Sequence, residues 1–87
     1  MARYKITFKK SVAKDLRKVP NTDVRRILAR IDELADDPRG NGCSKLSAQE
    51  RYRVRVGLYR IIYEIRDFEL IVQVVKVAHR SVVYKGR

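Results

Sequence analysis

The sequence predicts an α+β fold of order β-α-α-β-β-β, a two-helix hairpin packed on a small, mainly antiparallel sheet. Two observations predict it. Apolar residues recur at helical spacing as far as Ala35, and beyond the glycine-bearing stretch Asp36–Gly42 they recur at every second position. The length sets the scale: 87 residues fit one domain with one modest core, and a 45% hydrophobic content can build that core without cross-links.

The elements follow in order. Tyr4–Phe8, YKITF, alternates apolar and polar residues and reads as a first strand. Val12, Leu16 and Val19 are spaced i, i+4, i+7, which gives a short amphipathic helix that Pro20 ends. Asn21 or Thr22 can cap a second helix, and Asp23 suits its first turn. Val24, Ile27, Leu28, Ile31, Leu34 and Ala35 form its apolar stripe, and DDPRGNG closes it as a loop. Arg51–Val56, Tyr59–Arg66 and Leu70–Val77 then read as three strands, joined by a tight Gly57-Leu58 turn and a charged turn over Arg66–Glu69. The last of them, LIVQVVKV, is apolar on both faces, as an interior strand should be. Ala78–Arg87 is expected to be a short polar tail, so residues 1–87 make a single domain without linker or repeat.

Charge narrows the function. Twenty-one Lys and Arg against ten Asp and Glu leave a net +11. Both halves carry the excess, so the charge belongs to the folded body and not to a tail. Such a field attracts phosphate backbones, and it would also attract anionic lipid or an acidic protein. The single cysteine, Cys43, cannot form an internal disulfide and has no neighbour in sequence that would activate it. No signal peptide opens the chain, and no apolar run approaches the roughly 18 residues that span a bilayer. The expectation is a cytoplasmic protein with no membrane contact. The absence of Asp, Glu and His clusters predicts neither a metal site nor a small-molecule cofactor.

Most of the informative charge sits in RYRVRVGLYRIIYEIR, residues 51–66. With Gly57 and Leu58 as the central residues of a two-residue hairpin, Val56 pairs with Tyr59. That register sets Arg55 opposite Arg60, Arg53 opposite Ile62 and Arg51 opposite Glu64 on one face. Val56/Tyr59, Val54/Ile61 and Tyr52/Tyr63 then fall on the other, which is core. Like charges directly opposite destabilise a sheet, so Arg55 against Arg60 marks a face suited to an anion. Arginine fits phosphate better than lysine does, because its planar fork engages two oxygens at once. The cations of the first helix, Lys9, Lys10, Lys14, Arg17 and Lys18, read as solvated surface.

Lys45-Leu46, then YRVRVGLYRIIYEI, then VVKVAHRSVVY resemble the RelE/ParE superfamily of bacterial and archaeal toxins along essentially the whole chain, most closely its RelE branch. The YRxRxGxYRxxY form carries most of the specificity. The resemblance implies a RelE-like microbial RNase fold and a toxin of a type II toxin–antitoxin system, held inactive by a cognate RelB-like antitoxin. It also implies messenger RNA, cut in the ribosomal A site, as substrate, with ribosomal RNA contacts. Family site positions fall on Arg53, Arg55, Arg60, Arg80 and Tyr84 as catalytic residues. The first two are commonly lysine in the family, and the spacing from Arg80 to Tyr84 is shorter than in some members. Lys45, Arg51, Lys76 and His79 are further candidates for RNA binding or proton transfer. The arginines suit phosphate charge but not proton abstraction, since guanidinium is almost never a free base. The general base therefore stays open between candidates such as Lys76 and Lys45. The alternatives are a ParE-like toxin that inhibits gyrase without cutting RNA, and a non-catalytic basic RNA-binding protein.

Overall fold

The computed structural model describes residues 3–46 and 50–81. Its elements are β1 (Lys5–Phe8), α1 (Lys10–Arg17), α2 (Asn21–Leu34), β2 (Ser44–Lys45), β3 (Arg51–Val56), β4 (Tyr59–Arg66) and β5 (Ile71–His79). The strands form one sheet in the order β1-β5-β4-β3-β2. β1 runs parallel to β5 and every other neighbouring pair is antiparallel. This is the α+β architecture expected, with β2 added.

The core lies between the helices and one sheet face. Val12 and Val19 from the first helical segment, Ile27, Ile31 and Leu34 from α2, and Val54, Ile61, Tyr63, Val72, Val74 and Val77 from the sheet form one buried cluster. Each fully buried aliphatic side chain of this kind contributes about 1.5–3 kcal/mol. Leu28 departs from the expected stripe and stays 42% exposed. It sits one position, about 100° around the helix, from Ile27, outside the line that Val24, Ile27, Ile31 and Leu34 present to the sheet.

Several boundaries differ from expectation for identifiable reasons. Helix α2 begins directly at Asn21 with Pro20 as its N-cap, and no side chain caps it. The Pro20 carbonyl accepts from the amides of Asp23 and Val24 at 2.9 Å, so the fixed proline backbone opens the helix that Asn21 or Thr22 was expected to cap. β2 is a two-residue edge strand, Ser44 opposite Arg53 and Lys45 opposite Tyr52, too short to show a period in sequence. β5 continues through Ala78 and His79, which were assigned to the tail, because Tyr59 and Arg60 extend the β4 ladder to meet them. Within that ladder the register shifts between Ile62 opposite Lys76 and Tyr63 opposite Val74, so Val75 is the extra residue of a β-bulge.

β1 reaches only Val74, and from there α1 covers the same edge of β5. The Val77 amide, left without a strand partner on that side, donates to Asp15 Oδ2 of α1 at 3.1 Å. At the far end of the sheet the loop after α2 is tied down by aromatics. The buried Tyr63 hydroxyl donates to the Pro38 carbonyl at 2.7 Å, and burial raises its pKa. Tyr63 stacks on Tyr52 at 5.9 Å, and Arg39 lies over the Tyr52 ring. Arg39 also pairs with Asp67 at 2.9 Å, where the Tyr4 hydroxyl donates at 2.7 Å, so one carboxylate joins this loop, the β4–β5 turn and the start of the chain.

Candidate functional site

The face of the sheet turned away from the helices holds the candidate site. Its geometry starts at the hairpin turn, where Gly57 has φ 56° and Leu58 does not share a positive φ. A glycine at the first central position fits a type II′ turn, whose twist matches the flanking strands. The resulting register is the expected one: Arg51 opposite Glu64, Arg53 opposite Ile62 and Arg55 opposite Arg60. β5 extends the rows, giving Arg55–Arg60–Ala78 nearest the turn and Arg53–Ile62–Lys76 next to it. Ile62 and Ala78 are each only 8% exposed although they lie on this outer face. Long basic side chains flank both, and their aliphatic stems shield such positions while the charged heads stay accessible.

The charges on this face are unequal. Arg51 Nε pairs with Glu64 Oε2 at 3.1 Å, and Arg66 lies 3.8 Å from the same carboxylate, so this end is compensated. Among the described residues, Arg53, Arg55, Arg60, Lys76 and Arg80 make no ion pair. The Nε of Arg60 is buried and has no hydrogen-bond partner there. Such an orphaned donor costs about 1–3 kcal/mol, a penalty that an incoming acceptor removes. Arg80 joins the group through the backbone: its amide donates to the Leu58 carbonyl at 2.7 Å, which sets it beside the hairpin turn. The alternation of β5 after the bulge puts Lys76 and Ala78 on this side, and Arg80 follows directly on the last residue of the strand, His79.

Arg53, Arg55, Arg60, Lys76 and Arg80 are thus gathered, and Arg51 adjoins them in an ion pair. Two other candidates go elsewhere. Lys45 is opposite Tyr52, which places it on the helix-facing side of β2, and it pairs with Glu50 at 3.5 Å. His79 is opposite Tyr59, with the two rings edge-on at 5.3 Å. It lines a cleft of about 400 Å³ along β5 with Asp15 and Lys18 of the α1 segment, which Lys76 and Ala78 also line. Tyr84 lies outside the described residues. Glu64 is the residue whose part the sequence understated, since its carboxylate decides which arginines are neutralised. Its pairing with Arg51 in the hairpin register was the available signal. The basic side chains of α1 and its flanks are exposed, as expected of a solvated surface.

The arrangement offers several forked cations around one apolar-floored patch, a chemistry that fits the non-bridging oxygens of a phosphodiester. Residues 6–84 match the family model described as the ParE toxin of the type II toxin–antitoxin system parDE. Solved structures agree. A chain of the archaeal RelE–RelB complex from Pyrococcus horikoshii is 28% identical, with TM-score 0.81, over 93% of this chain and 99% of that one. A chain of the RelB–RelE antitoxin–toxin complex from Methanococcus jannaschii is 31% identical, with TM-score 0.70, over 85% and 89%. The isolated RelE toxin of E. coli shares the fold at TM-score 0.78 and 20% identity, over 95% and 89%. No curated protein sequence matches the chain.

Proposed function

Because the chain belongs to the RelE/ParE superfamily of toxins from type II toxin–antitoxin systems, we propose that it is a ribosome-dependent endoribonuclease of the RelE kind, restrained by a RelB-like antitoxin. The observation that carries this reading is the uncompensated cation patch centred on Arg60, with its buried, partnerless Nε. A group of uncompensated arginines suits a phosphate ligand, whose oxygens the forked guanidinium can engage in pairs.

The reaction that fits these groups needs no metal. The 2′-hydroxyl of the RNA attacks the adjacent phosphorus in line, leaving a 2′,3′-cyclic phosphate and a 5′-hydroxyl. Arg60 and Arg55 take the non-bridging oxygens, where negative charge grows as the fifth bond forms. Arg53 and Arg80 hold the flanking phosphates, which bends the strand toward the in-line geometry. Proton removal falls to Lys76, the lysine on the arginine side, since Lys45 and His79 face the helices. Tyr84, at the family's tyrosine position, is the proposed donor to the leaving 5′-oxygen, because a phenol with an ordinary pKa near 10 is mostly protonated at neutral pH.

The match to the ParE model keeps a second reading in play, a toxin that inhibits gyrase and cuts no RNA. One experiment separates them. Purified chain is added to ribosomes paused on a defined message, with primer extension for cuts, and in parallel to a gyrase supercoiling assay. Cleavage in the A-site codon, lost in Arg60→Ala, is the expected result. Gyrase inhibition with intact message would overturn the nuclease reading.

A further inference from the structure

The helix-facing placement of His79 removes it from the phosphate patch but leaves an unusual contact to explain. His79 Nδ1 lies 3.0 Å from the backbone amide of Ser81 and 2.8 Å from the Ser81 hydroxyl. An amide nitrogen can only donate, so Nδ1 is the acceptor and the neutral ring carries its proton on Nε2. The geometry is that of an Asx turn, in which a side-chain acceptor holds the amide two residues on, with imidazole in place of the carboxamide. The residue enclosed by this turn is Arg80, whose own amide is fixed to Leu58 at 2.7 Å. The ring is in turn held by its edge-on contact with Tyr59.

We propose that His79 is a positioning residue for Arg80. Its Nδ1 closes a side-chain turn over the end of β5, and that turn presents the Arg80 guanidinium to the cation patch. The ring itself takes no proton in the reaction. The turn stands on contacts within the chain, and only its consequence for cleavage rests on the nuclease reading above.

Two isosteres separate this role from the others. Asparagine carries an acceptor at the δ position, where Nδ1 sits, whereas glutamine carries it one bond further out, near Nε2. Neither can act as an acid or base. Wild type, His79→Asn, His79→Gln and His79→Ala are compared as full chains by amide hydrogen exchange at Arg80 and Ser81, and by single-turnover cleavage on programmed ribosomes. The expected order in both is wild type close to Asn, with Gln and Ala slower to cleave by about fivefold, the factor that one net hydrogen bond supplies, and less protected at Ser81. Equal protection of Ser81 in all four chains would overturn the proposal. So would an Asn variant that keeps protection yet loses cleavage as Gln does, because the ring would then be acting chemically. A wild-type chain that leaves the message intact would sink the nuclease reading alone, and the protection order would still decide the turn.

Discussion

Replacing Arg60 with methionine should stabilise this protein while abolishing its toxicity. Methionine keeps the length and apolar stem that shelter Ile62 and Ala78, and it removes two penalties that the native fold carries. One is the buried Nε without a partner, worth about 1–3 kcal/mol. The lower end applies, because the Arg60 side chain as a whole is only half-buried. The other is the pairing of Arg55 and Arg60 directly across the β3–β4 ladder, an unfavourable contact of about 0.2–1 kcal/mol. Against these stand the lost charge–dipole contacts of a partly solvated guanidinium. A net gain of about 1 kcal/mol remains, which raises the unfolding midpoint by about 4–8 °C in a chain of this size. Thermal unfolding followed by circular dichroism at low and high salt reads it. The gain should shrink with salt, since the repulsive part is screened. A short 2′-deoxy-substituted oligonucleotide should raise the wild-type midpoint and leave that of the variant nearly unchanged. An Arg60→Met chain that unfolds below wild type at both salt concentrations would refute the reasoning, because the cation would then be part of the scaffold.

Three further outcomes follow from the same contacts. In oligonucleotide binding measured against salt, Arg53→Gln or Arg55→Gln should each reduce the log–log slope by about 0.7, the single-strand value per phosphate, while Lys45→Gln on the opposite side should leave it unchanged. Leu70 has φ 55°, a left-handed conformation that a bulky side chain rarely adopts, and it is 39% exposed, so replacement relieves backbone strain while forfeiting only part of a leucine's burial. Leu70→Gly or Leu70→Asn should therefore stabilise by about 1 kcal/mol in urea unfolding, and a loss would show that the turn depends on the leucine side chain. Hydrogen bonds from Arg39 and then Tyr4 hold the Asp67 carboxyl below its ordinary pKa. Its contribution to stability is thus fully present above the unfolded carboxylate value of about 3.9 and is lost as pH falls through the depressed folded value. Midpoints measured between pH 7 and pH 2.5 should fall more steeply for wild type than for Asp67→Asn.

The hairpin was legible because one glycine fixes the turn and a two-residue period fixes the rest; from Gly57 the pairings out to Arg51 and Glu64 follow without further information. The helices were legible from their stripes, though the stripe of α2 is narrower than its apolar content suggests, which is why Leu28 was misplaced. Long-range polar ties were not legible. Nothing in the sequence says that Asp67 will gather Arg39 and Tyr4, or that Asp15 will answer the amide of Val77, since both depend on how separated segments approach. At the candidate site the arginines could be assigned to a face and His79 could not. The stretch IVQVVKVAH is apolar nearly throughout, so it shows no alternation from which to tell one side from the other.

The bulge at Val75 turns that silence into a rule about insertion and deletion. In a strand the side of the sheet is set by whether a residue is an odd or even number of steps from a reference point, and Val75 changes that count once. Upstream of it Val72 and Val74 take the core side; downstream, Val77 takes it again, although it is three steps from Val74. Delete Val75, and Val77 stands two steps from Val74, so plain alternation keeps every later side chain on its present side. Keep Val75 but pair it regularly, and every later side chain exchanges sides in one stroke. Lys76 would turn into the helices, and Val77 and His79 would turn out among the arginines. The bulge, and not the residue count alone, thus sets which side the candidate site residues take. Relatives that differ by a single residue in this strand need to be aligned by side of the sheet, not by nearest letter, before their histidines and arginines are compared.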